Sequence, residues 1–114
     1  MKGILVTTED VIEVKDFKEP HFNSLYDLLG GFEIVNPIGL AEPYRMVVDD
    51  DGLYKQKPVN KLGSLLYGTN IHGHPIVGDI VILKQRRTCD GMSLVGLSEQ
   101  DCKEMTATLK AFLE

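Results

Sequence analysis

The chain has no tryptophan, two cysteines and no long apolar run. A bilayer-spanning helix takes ~20 consecutive apolar residues, so a transmembrane reading is excluded. The N-terminal MKGILVTTED reaches acidic residues too soon for a secretory leader, and the chain is expected to stay where it is made. Cys89 and Cys102 have twelve residues between them, a spacing that fits neither a zinc site nor a redox motif. Cys102 falls on the apolar side of a helical pattern and reads as a buried thiol. A reducing, cytoplasmic location fits. Excess basic charge is missing too. The net charge of −5 argues against general nucleic-acid binding, which rests on neutralising phosphates.

Signature motifs of catalysis are missing as well: no phosphate-binding P-loop, no dinucleotide fingerprint, no H-E-x-x-H and no G-x-S-x-G elbow. Asp49-Asp50-Asp51-Gly52 lacks the closing glutamate of a calcium loop and reads as an acidic hairpin turn. His72-Gly73-His74 has no third and fourth ligand nearby, His21 being the remaining histidine. The expectation is a protein without metal or cofactor, and not an enzyme.

What is present describes an ordinary globular chain. Its 114 residues, 43% hydrophobic and 25% charged, suit one domain with a core of its own. Segments 3–7 and 11–17 are rich in β-branched residues and are joined by a link short enough for a hairpin. Pro20 closes that region. Residues 22–29 place Phe22, Leu25, Tyr26, Leu28 and Leu29 on one helical stripe, stopped by Gly30-Gly31. Residues 32–38 predict a strand that Pro37 ends or confines to a sheet edge. Residues 44–48 and 53–56 read as a hairpin about a positive-φ Asp51-Gly52 turn. Asn60 is a helix N-cap for 61–67, and Gly68 ends that helix. A loop over 69–78 leads to an apolar strand, 79–85, suited to a sheet centre. Residues 88–91 turn the chain into 92–97, and Ser98 with Asp101 opens a C-terminal helix. The result is a single α+β domain over 1–114, with a mainly antiparallel sheet of about five to seven short strands and three helices.

One constellation has the composition of a small polar-ligand pocket. Asn60, Lys61, Tyr67, Asn70, His72 and His74 surround the second helix and its exit loop. Glycines 68, 73 and 78 there would let backbone N–H groups approach a ligand. A structured surface loop is the competing reading. The basic run Lys84, Arg86, Arg87 reads as a solvated strand end, with an anion-binding patch as the alternative.

The segments LLGGFEIV (28–35), DDDGLYKQKPVN (49–60), NKLGSLLYG (60–68), PIVGDIVIL (75–83) and VGLSEQD (95–101) resemble, in order and spacing, an uncharacterised domain family of phages, plasmids and Firmicute genomes. The resemblance covers nearly the whole chain, and Asn60 and Tyr67 are the polar positions it carries over. EPYR before the hairpin and the KQRRTCDGM turn depart from it. It implies an accessory binding protein, of counter-defence type, in a host cytoplasm. The expected ligand is a small anionic, nucleotide-type molecule. Lys61 or Arg86 would contact the anion, Asn60 and Asn70 the base or ribose, and Tyr67 or His72 would stack. The alternative partner is a host protein, inhibited through an exposed strand edge by β-augmentation. A small hydrolase ranks last. A homo-oligomer is a further expectation, with the edge near Pro37 as a seam.

Overall fold

A computed structural model describes residues 1–19, 21–89 and 91–113, with the backbone alone of His72. The expected strand-closing Pro20, Asp90 of the expected turn and the side chain of His72 lie outside the described residues.

The apolar run of Ile80–Thr88 (β5) is the sheet's axis. Ile80, Val81, Ile82 and Leu83 are all fully buried, because neighbours cover them on both sides and both faces. Lys2–Val6 (β1) and Tyr44–Val48 (β4) flank β5, both antiparallel. Ile82 is paired with Ile4 on one side and Met46 on the other, and Val81 with Leu5 and Val47. Ile12–Asp16 (β2) pairs with β1 and Glu33–Val35 (β3) with β4, giving the order β2-β1-β5-β4-β3. Gly91–Val95 (β6) pairs with the second half of β5, completing six strands among the described residues. It lies end to end with β1, since Leu97 N–H donates to the Lys2 carbonyl at 2.8 Å. The expected α+β class with an antiparallel sheet is borne out. β3 takes an outer position, as Pro37 implied.

Alternate residues of β1, β4 and β5 enter separate cores, as the two-residue pleat requires. Ile4, Val6, Met46, Ile80 and Ile82 meet Lys61–Tyr67 (α2) and Glu99–Phe112 (α4), through Leu62 and Leu66 and through Cys102, Met105 and Leu109. Leu5, Val47, Val81 and Leu83 meet His21–Leu29 (α1) through Leu25 and Leu29. The sheet is therefore sandwiched between helices. Each fully buried aliphatic side chain contributes about 1.5–3 kcal/mol relative to exposure.

Three expectations are corrected. Residues 53–56 form no strand; 49–57 is a series of turns, with Gly52 N–H bonded to Asp49 O, Lys55 N–H to Asp51 O and Lys57 N–H to Gly52 O. Gly52 does not supply a positive φ, which falls instead on Gln56 at 57°. Glycine is required at 52 because a Cβ would come within 2.6 Å of Val77 Cγ2. The expected loop after α2 begins with a single helical turn, Thr69–His72 (α3), closed by Gly73 N–H to the Thr69 carbonyl at 2.7 Å. Among the described residues this short turn stands beside the three longer helices that were expected.

Candidate ligand groove

Asn60 caps α2 and is fully buried. Its Oδ1 accepts from Gly63 N–H at 2.8 Å, and its Nδ2 donates to the Val6 and Gly78 carbonyls at 3.0 Å each. These bonds tie α2 to β1 and to the start of β5. The amide is spent on the fold. Ser64 does the same beside it, exchanging bonds with the Ile76 N–H and carbonyl.

The glycine donors are likewise committed. Gly68, Gly73 and Gly78 all have positive φ, and their N–H groups bond to Ser64, Thr69 and Pro58 carbonyls. Lys61, Asn70 and His74 are exposed, and Tyr67 is half-buried. Tyr67 and His74 do share a cavity, of about 140 Å³. Its other walls include the exposed carboxylates Glu33 and Asp50, which disfavour an anion there. Arg86 is exposed on β5, six residues past its start at Ile80 and so about 20 Å along the strand. The structure gathers Tyr67 with His74 and keeps Arg86 apart.

Asp49, read from sequence as part of an acidic hairpin turn, is a buried anchor. Its carboxylate is fully enclosed and meets Lys57 Nζ at 2.6 Å and Lys55 Nζ at 3.0 Å. The same ammonium groups donate to Leu29 O and Gly30 O at 2.6 Å each. Burial pushes the Asp49 carboxyl up. Hydrogen bonds from Lys57, the Asp51 N–H and Lys55 more than offset this and hold it below the usual carboxylate range. Two cations thus sit on the last carbonyls of α1, where the helix dipole favours them.

A concavity of about 540 Å³ lies between α4 and the β1–β2 side of the sheet. Its volume falls in the range of small-molecule sites, about 300–1,000 Å³. Val14, Cys102 and Ala107 give it apolar walls, and Lys2, Lys103 and Lys110 give it cations. Lys103, Thr106, Ala107 and Lys110 line it from α4 at i, i+3, i+4 and i+7, a single helical stripe. Among the described residues these three lysines form no ion pair. Glu99 lines the groove with them, and nearby Asp16 is held by the Met1 amino group at 3.0 Å. Burial pushes the Cys102 thiol up, so it stays protonated and serves as an apolar wall rather than a nucleophile.

The groove is held open by a well-fixed helix. Ser98 Oγ accepts from Asp101 N–H and Ser98 N–H donates to Asp101 Oδ2, both at 3.0 Å, the expected capping box. The Asp101 carboxylate also takes Lys84 Nζ at 2.9 Å, which ties the first turn of α4 to β5. Residues 2, 14 and 102–110 are far apart in the chain. The one signal in the sequence was the Lys103–Lys110 spacing on the polar side of an amphipathic helix.

Among the described residues no three or more His, Cys, Asp or Glu side chains gather as a metal site, and no helix is long and apolar enough to cross a membrane. The architecture is that of a small α+β domain: an open antiparallel sheet, helices on both faces and a lysine-lined groove at one edge. A family model described as "Domain of unknown function (DUF3846)" matches residues 1–110, and the chain belongs to this family. The resemblance to an uncharacterised small domain family is thereby borne out. No curated protein and no solved structure matches the chain.

Proposed function

We propose that the protein is a non-enzymatic binding protein for a small anionic, nucleotide-type molecule, held in the groove between α4 and β1–β2. One observation carries this reading. A chain of net charge −5 places three lysines, unpaired among the described residues, around one apolar-walled concavity. Val14 and Ala107 offer a surface for a flat or apolar body, and Lys2, Lys103 and Lys110 supply charge-assisted hydrogen bonds to phosphate or carboxylate oxygen. Thr106 adds a hydroxyl. This reading keeps the expected class of ligand but moves it away from the α2 exit loop, whose cavity has acidic walls.

Calorimetry against mono-, di- and cyclic nucleotides, with inorganic pyrophosphate and octanoate as separate probes for the two ends of the ligand, tests it. A nucleotide is expected to bind in the micromolar range at low salt and more weakly as salt rises. Lys103→Ala and Lys110→Ala should each weaken binding about tenfold, since a hydrogen bond to a charged group contributes about 1.5–3 kcal/mol. Asn70→Ala and His74→Ala should leave affinity unchanged. The groove reading falls if no probe binds below millimolar concentration, or if the Lys103/Lys110 double variant binds as well as the parent.

A further inference from the structure

The backbone of β2 is paired on one side. Phe17 N–H donates to Met1 O at 2.7 Å and Thr7 N–H to Val11 O at 2.9 Å. Bonding direction alternates along an antiparallel strand, so residues 11, 13, 15 and 17 turn their polar groups toward β1. Ile12, Val14 and Asp16 turn theirs outward, and among the described residues no second strand meets them. The edge is also apolar at its centre, with Val14 45% exposed. Such an edge is a template for another strand.

We infer that a second copy of this chain pairs antiparallel with β2, Val14 opposite Val14, and joins the two lysine grooves into one site across the two-fold axis. The charges on β2 select this pairing. With Val14 on the axis, Glu13 of each copy stands opposite Lys15 of the other, and Ile12 stands opposite Asp16. A slip of the pairing toward Ile12 places Glu13 against Glu13. A slip toward Asp16 places Lys15 against Lys15. Like charges directly opposite are destabilising and opposite charges stabilising. Charges on an edge strand ordinarily prevent association; here Glu13 and Lys15, which meet within one strand at 3.6 Å, disfavour the two nearest slips of this pairing.

The consequence for the groove follows from the pleat. Val14 is paired with Ile4, which belongs to the core under α4, so Ile12, Val14 and Asp16 share the α4 face. A two-fold axis normal to the sheet leaves both copies of α4 on that face, one on each side of the new seam. The open side of each groove then meets the other. Lys2, Lys103 and Lys110 of both copies surround one trough, floored by the two Val14 side chains. Six lysines outnumber the two Glu99 carboxylates around the empty trough, so an anion with charge at both ends draws the copies together. Ligand binding and dimerisation are coupled in the same direction. The inference deepens the groove reading and rests on it for the ligand, though not for the seam.

Sedimentation equilibrium on the full chain tests the seam, with and without pyrophosphate. The expected result is a species of twice the 12.7 kDa chain mass, favoured by the anion. Glu13→Lys and Lys15→Glu should each weaken the dimer at least tenfold, and the double exchange should restore it to within threefold. Val14→Pro should abolish it without unfolding the monomer, because the lost N–H points out of the sheet. Circular dichroism verifies that each variant folds. A monomer at every concentration, or a dimer untouched by the single reversals, overturns the seam. Glu13 and Lys15 lie on the face away from α4, so the reversals leave the groove lysines in place. A Glu13→Lys monomer that binds nucleotide as tightly as the parent overturns the shared site and leaves the one-copy groove standing. A dimer that binds no anion overturns the shared site with the groove, and leaves the seam standing.

Discussion

Single residues divide here into those spent on the fold and those left to the proposed ligand. Asn60 has the profile of a ligand contact in the sequence, yet every polar atom of its buried amide is bonded to backbone. Asp49 shows the reverse surprise, an apparent surface acid enclosed by two lysines. Its carboxyl lies below its unfolded value of about 3.9, so its stabilising effect is present above that pH and lost as pH falls through the lower folded value. Asp49→Asn should cost about 2–3 kcal/mol at neutral pH, in the range of hydrogen bonds to charged groups. The two lysines are about a third exposed and can re-solvate, which keeps the loss below that of a fully buried pair. Urea midpoints should show the gap between parent and variant closing below pH 4. A gap constant from pH 7 to pH 3 would show that the charge of Asp49 contributes nothing.

Elements were legible where their signals were local. Asn60, Gly68, Gly30 and Ser98 mark helix ends through bonds to residues within one turn, and all four act as expected. The β5 run announced its central position because burial on both faces demands unbroken apolarity. The 49–57 segment was not legible, because its shape depends on α1: Lys55 and Lys57 reach back to the carbonyls of Gly30 and Leu29. Asp51-Gly52 offered a hairpin turn, and a tertiary ion cluster overrode it. The groove was invisible for the same reason, since the strand register brings Lys2 and Val14 beside α4. Its helix can be loosened at a known point. Ser98→Ala removes the cap and should cost about 1 kcal/mol. The melting midpoint should fall by roughly 4 °C. Ser98→Asp, which can still accept from the Asp101 N–H, should recover most of that loss, whereas an unchanged midpoint in Ser98→Ala would show α4 to be held by packing alone.

At the scale of the whole molecule the sheet is unevenly secured, and the proposed seam lies along one of its outer strands. Ile80–Leu83 lie between β1 and β4, with helices on both faces. Their amides can open only when the core does. Beyond Gln85 the strand keeps β6 on one side, while β4 has ended on the other, so that stretch depends on one hairpin. Local openings cost less where fewer contacts must break. Amide hydrogen exchange should therefore rank Val81–Leu83 slowest, at the rate of global unfolding, with Arg86–Thr88 faster. β2 supplies the decisive comparison. Glu13 and Lys15 donate toward β1 and should be protected at any concentration. Ile12 and Val14 donate outward, so in dilute protein they should exchange nearly as fast as an exposed chain. Raising the concentration, or adding pyrophosphate, should slow Ile12 and Val14 while leaving the β3 edge at Glu33–Val35 unchanged. If β3 gains protection instead, the copies meet at the edge near Pro37 and the lysine grooves stay apart. If neither edge changes, each chain carries its groove alone.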